Sequence, residues 1–120
     1  MKSILVVEDN SVIMELVKTL LVSFGYEFRG AEDGFEAIKL IEKSDFNLIL
    51  LDIQLPGLDG LEVLKILKEN PETRQIPVIA LTAHAMRGDE EKFLKAGCSG
   101  YVSKPIDIQR FKFLIEQFII

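Results

Sequence analysis

Two apolar runs in this chain end in acids. The stretch LILLDIQLPGLDG, residues 48–60, is unbroken until a single carboxylate, Asp52, closes the run, and ILVVEDN, residues 4–10, ends in Glu8 and Asp9. A lone acid at a strand end is ordinarily a polar stop signal. Asp52 becomes chemistry only if the fold carries it to the other two. Three crowded carboxylates repel one another and are driven to protonate unless a cation neutralises them. A hard divalent ion is the natural remedy: Mg2+ takes oxygen ligands, keeps several waters and leaves places for phosphate oxygens. One histidine and one cysteine offer no cluster for zinc or a redox metal.

Two more runs end in reactive groups. PVIALTA carries Thr82 at its close, and GYVSKP carries Lys104. A carboxylate nucleophile, a metal and a lysine to neutralise equatorial oxygens, and a hydroxyl to hold one of them, make up the set that phosphoryl transfer needs. Taken singly, each residue has a plainer role. Glu8 and Asp9 would be charges at a helix start, Thr82 a β-branched strand residue, and Lys104 a solvated loop lysine. Only their arrival at one edge makes them a site.

The elements that would bring them there alternate along the chain. Short aliphatic runs at 2–8, 26–31, 47–52, 77–82 and 100–103 read as strands, and amphipathic stretches at about 11–24, 34–43, 60–69, 85–96 and 107–118 read as helices. Asn10, Asp33, Asp59 and Asp107 stand at N-cap positions, and Gly25 and Gly97 stand where a helix wants a left-handed residue after its end. The first helix is expected to bury Ile13, Leu16, Val17, Leu20 and Phe24. The fifth is expected to bury Ile108, Phe111, Leu114, Ile115 and Phe118, with Phe113 on nearly the opposite side. Such βα repetition makes an α/β fold: a doubly wound five-stranded parallel sheet, flavodoxin-like, in the order 2-1-3-4-5. Ligands of these sheets bind at the carboxyl ends of the strands, where strand order reverses, which here lies between the first and third strands. Those strands end in Glu8, Asp9 and Asp52.

With 120 residues, 48% of them hydrophobic, residues 1–120 read as one domain. Fourteen basic residues against nineteen acidic ones give a net charge of −5, which disfavours direct binding to nucleic acid or anionic membrane. Cys98 is the sole cysteine, so an internal disulfide is excluded and a reducing compartment fits. The first apolar run is too short for a signal-peptide core or a membrane span, and cytoplasm is the default location.

From Met1 to about Phe118 the motifs resemble the receiver domain of two-component response regulators. VVEDN is similar to the acidic pair that holds Mg2+, LLDIQLPGLDG to the phosphoacceptor loop with its proline and glycine, Pro56 and Gly60, and LTA and SKP to the hydroxyl and lysine motifs. The resemblance implies that Asp52 takes a phosphoryl group from a histidine kinase or histidine phosphotransfer protein. It implies metal ligation by Asp9, Asp52 and the main-chain carbonyl of Gln54, with Glu8 shaping the water shell and Mn2+ as a substitute ion. Thr82 and Lys104 would each engage a phosphoryl oxygen, Lys104 also positioning Asp52 beforehand. Lys104–Pro105 is the candidate cis peptide, and Tyr101 matches the aromatic switch that follows Thr82. His84, plainly a solvent-facing helix-start residue, would at most join Gln54 in screening the phosphoryl group from water. The output face would comprise helix four, strand five and helix five, serving a downstream protein or a phosphorylation-linked homodimer.

Two alternatives remain beside it. A haloacid-dehalogenase-type phosphatase would want a second acid two residues after the nucleophile, where this chain has Gln54. A flavodoxin-like FMN module would want a Ser/Thr/Gly-rich loop after the first strand, where EDNSVIM presents acids.

Overall fold

The computed structural model describes residues 1–55, 57–82 and 89–119, with residues 89 and 90 as backbone only. Its elements are β1 (Ser3–Val7), α1 (Ser11–Ser23), β2 (Glu27–Ala31), α2 (Gly34–Lys43), β3 (Leu48–Asp52), α3 (Gly60–Glu69), β4 (Val78–Thr82), α4 (Asp89–Ala96), β5 (Gly100–Ser103) and α5 (Ile108–Phe118). All pairings are parallel and the strand order is β2-β1-β3-β4-β5. Val7 lies across from Leu51, Asp52 from Leu81, and Thr82 from Ser103, so the strands come to their carboxyl ends nearly level.

The unbroken apolar runs are explained by burial on both faces. Leu5, Val7, Ile49, Leu51, Val78 and Ala80 face a core completed by Ala37 of α2, Val63, Leu64 and Leu67 of α3, and Phe93 of α4. Ile4, Val6, Leu48, Leu50, Ile79 and Leu81 face the other core, completed by Val17 and Leu21 of α1 and Phe111 and Ile115 of α5. Helices α1 and α5 therefore cover one face, and α2, α3 and α4 cover the other.

The helix ends follow local chemistry. The side chain of Asn10 accepts from the N–H groups of Val12 and Ile13, and Asp33, Asp59 and Asp107 accept from Glu36, Glu62 and Arg110. Each satisfies backbone donors that have no partner inside the first turn. Gly25 at φ 93° and Gly97 at φ 112° take the left-handed conformation that closes α1 and α4.

Two helix faces differ from the sequence pattern. In α1 the buried line is Val17–Leu21, one turn apart, whereas Leu16 sits about 100° around the helix and is 42% exposed. In α5 Ile108 is 51% exposed because it is the first helical residue, before the helix lies down on the sheet at Phe111. Phe113 is exposed, as its phase requires. The expected start of α4 at 85, with His84 and Gly88, falls outside the described residues. Among the described residues no helix is long and apolar enough to cross a membrane.

Candidate functional site

Strand order decides which side chains meet. Because β1 and β3 are hydrogen-bonded neighbours, the residues that follow β1 and the last residue of β3 stand side by side. Glu8, Asp9 and Asp52 each offer a carboxylate oxygen, and the three atoms lie within 4.8 Å of one another. Glu8 and Asp52 are buried and Asp9 is exposed, so the cluster opens to solvent on Asp9's side. Glu8 is fixed by its backbone N–H, which donates to Ala31 O at the end of β2, 3.0 Å away.

Lys104 enters from the loop after β5, held by its own N–H, which donates to Thr82 O at 2.7 Å. Its ammonium donates to Glu8 Oε1 at 2.5 Å and stands 3.5 Å from Asp52 Oδ2. The lysine is thus tied more closely to Glu8 than to Asp52, whereas the family resemblance placed it chiefly against Asp52 and the phosphoryl group. Glu8 is the more deeply buried carboxylate, and its other oxygen, Oε2, has no partner among the described residues. Burial is the largest cause that pushes the Glu8 carboxyl up to about 7, reinforced by the neighbouring Asp52 carboxylate and opposed by Lys104.

A buried, unpartnered carboxylate oxygen beside two more acids is a donor set suited to a hard cation, so these residues fit a divalent ion with oxygen ligands. The backbone N–H of Gln54 donates to Asp52 Oδ1 at 2.9 Å, locking one oxygen of that carboxylate. Sequence reasoning had given Gln54 a carbonyl role at the metal and a screening role with His84, and neither involves its backbone N–H. An aspartate bonded to the N–H two residues on is a recurrent turn, which the DIQ spacing could have signalled.

Thr82 closes β4, buried, and Tyr101 lies half-buried in β5 with the Arg110 guanidinium carbon 5.9 Å from its ring centroid. The Lys104–Pro105 peptide is cis. Beside Lys104 an apolar cleft of about 440 Å³ is lined by Ile13, Leu16, Pro105 and Ile106. His84 and Pro56 lie outside the described residues.

Glycines shape the wall behind the site. A Cβ on Gly60 would stand 2.4 Å from Asp52 O and 2.6 Å from Ile53 Cα, so the start of α3 can sit against the end of β3 only without a side chain.

Comparison with known proteins is consistent over the whole domain. Residues 4–116 match the response regulator receiver domain, and the chain belongs to that family. It is similar to the polar-differentiation response regulator DivK of Brucella ovis, with 48% identity over 118 residues, 98% of this chain and 96% of the relative. Among solved structures it is similar to the receiver domain of sensor histidine kinase PA1611 from Pseudomonas aeruginosa PAO1, which has a magnesium ion coordinated in the active site cleft. That match has TM-score 0.90 and 35% identity, covering 98% of this chain and 97% of the other. The Vibrio cholerae chemotaxis protein CheY4 matches with TM-score 0.92 and 25% identity, covering 98% of each chain.

The chain therefore has the phosphoacceptor role of a receiver in two-component signalling, with kinase or phosphotransfer partners implied by the family. It is not a member of an ordinary enzyme family. The phosphatase and flavin-binding alternatives fall with that membership.

Proposed function

We propose that Asp52 is the phosphoacceptor, that it is loaded from a phosphohistidine of a histidine kinase or phosphotransfer protein, and that the acyl phosphate changes the domain's affinity for other proteins. The observation that carries this reading is the joint placement of Asp52 with two more carboxylates within 4.8 Å and with Lys104 Nζ 3.5 Å from its Oδ2.

In the transfer, an Asp52 oxygen bonds to phosphorus as the P–N bond to the donor imidazole breaks, and the imidazole nitrogen keeps the bonding pair. The Gln54 N–H on Oδ1 fixes the carboxylate plane before the donor arrives. Lys104 offsets charge on a phosphoryl oxygen, and the Thr82 hydroxyl holds another. Glu8, Asp9, Asp52 and the Gln54 carbonyl would hold Mg2+, with Mn2+ as a substitute. When bound, the ion neutralises phosphoryl oxygens during transfer. The domain would thus promote its own phosphorylation and slow hydrolysis, with Gln54 and His84 screening the acyl phosphate from water.

A donor protein would meet the apolar cleft beside Lys104, which Ile13, Leu16, Pro105 and Ile106 line. Output passes through Thr82 and Tyr101 to the face formed by α4, β5 and α5, which serves a downstream protein or a homodimer. A cytoplasmic setting agrees with a kinase donor and a free buried thiol.

The test is intact mass after incubation with acetyl phosphate and Mg2+. One phosphoryl group should be added to the wild type and none to Asp52→Asn. Equal labelling of the two proteins, or full labelling in excess chelator, would remove the assignment.

A further inference from the structure

We propose that the first turn of α2, through Gly34 and Phe35, is a positioning element for the β3–α3 loop that carries Gln54. The proposal rests on the reading of that loop as part of the phosphoacceptor site. Gly34 is the first residue of α2, and it is absent from the positive-φ glycines of the described chain. Nothing in its backbone excludes alanine, which would favour the helix. Space excludes it. A Cβ there would stand 2.6 Å from Val63 Cγ2 and 2.9 Å from the main-chain oxygen of Leu58. Phe35 completes the contact: a Cβ on Gly57, which holds φ at 72°, would lie 3.5 Å from its Cε2, so the ring rests against that turn. Residues 34 and 35 of α2 thus abut residues 58 and 57 of the loop in turn.

Among its described residues the loop has few other restraints. At its base the Gly60 N–H donates to Ile53 O at 3.2 Å, the Gln54 N–H donates to Asp52 at 2.9 Å, and Leu55 is buried. Its outer limb, Gly57 and Leu58, leans on α2. A push at Leu58 therefore acts on a loop whose base is pinned at Asp52 and Ile53, beside Gln54. The start of α2 lies on the β2 side of the sheet, so this contact makes loop geometry answerable to a helix that contributes none of the acidic, hydroxyl or lysine groups.

The two clashes at Gly34 can be separated. Val63→Ala removes the side-chain obstacle and leaves Leu58 O in place, so Gly34→Ala/Val63→Ala compared with Val63→Ala alone isolates the push on the loop. Calorimetric Mg2+ titration should show about tenfold weaker binding in the double variant than in Val63→Ala, the scale typical of residues that orient metal ligands. The Gln54 amide resonance should move while the melting temperatures of the two variants agree to within about 2 °C.

Equal affinities with an unmoved Gln54 resonance overturn the proposal. No Mg2+ binding by the wild type overturns the underlying site reading, and the proposal with it. Should the double variant fail to fold, Phe35→Ala decides. That ring is 59% exposed and its loss should leave the fold intact. Weaker Mg2+ binding with a shifted Gln54 resonance supports the positioning role, and wild-type values for both overturn it.

Discussion

Lys104 donates to Glu8 at 2.5 Å across 96 residues of chain, and it does so where the glutamate side chain is completely buried. Breaking a buried pair from one side leaves the other charge uncompensated, which costs more than the pair contributes. Lys104→Met should therefore destabilise the chelator-treated protein at pH 7.5 by up to about 3 kcal/mol, the ceiling being set by Glu8's ability to take up a proton. Urea unfolding with and without Mg2+ checks this, since the loss should shrink when a divalent ion replaces the ammonium. A Lys104→Met protein as stable as wild type in chelator would show that the pair is incidental.

The raised Glu8 carboxyl gives stability a pH dependence of definite sign. Below its ordinary value of 4.5 Glu8 is protonated in folded and unfolded chains alike, and its contribution is fully present. Between there and about 7 the unfolded chain has released the proton while the folded one still holds it, so stability falls as pH rises. The loss is at most on the order of 3 kcal/mol. Urea midpoints from pH 4 to 8 in chelator should decline more steeply for wild type than for Glu8→Gln, which has no proton to lose. Parallel curves would contradict the cause given.

Asp52→Asn removes one of three mutually repelling charges. The variant should melt higher than wild type in chelator by about 2–6 °C, as roughly 1 kcal/mol of repulsion is relieved, and it should gain less from added Mg2+. Identical melting behaviour in both conditions would count against a shared acidic site.

Phe113 is 62% exposed on α5, on the proposed output face. Single exposed apolar residues are common and often mean nothing, so the comparison must be functional. Phe113→Ser should leave phosphorylation kinetics unchanged and weaken phosphorylation-dependent association about five- to thirtyfold, as losing a central apolar anchor does. Sedimentation or calorimetry with the phosphorylated protein settles it, and undiminished association would exclude this residue from the interface.

Much of this was legible before any coordinates. The parallel α/β class followed from βα alternation, and the flavodoxin-like order 2-1-3-4-5 expected of five such units placed Asp52 beside Glu8 and Asp9. What sequence could not supply was the division of Lys104 between two acids, because that depends on ångström differences in where a loop ends. Helix faces were legible only to the resolution of periodicity: Leu16 and Leu21 are both leucines of α1, and packing against β1, β3 and α5 chose Leu21. Gly34 was invisible for another reason, since its meaning lies in Leu58 O and Val63 Cγ2, atoms on another element.

The acids and the lysine of the site come from the beginning of the domain, its middle and the end of its last strand, at positions 8, 9, 52 and 104. Contacts of such long sequence separation carry a loop-closure entropy that must be met before they form. A chain in which β5 has not docked would have its three acids without the ammonium that stands beside Glu8 and Asp52. In this architecture the lysine reaches the acids only when the sheet is complete, so the charge balance of the site is a property of the whole fold and of no shorter piece of it.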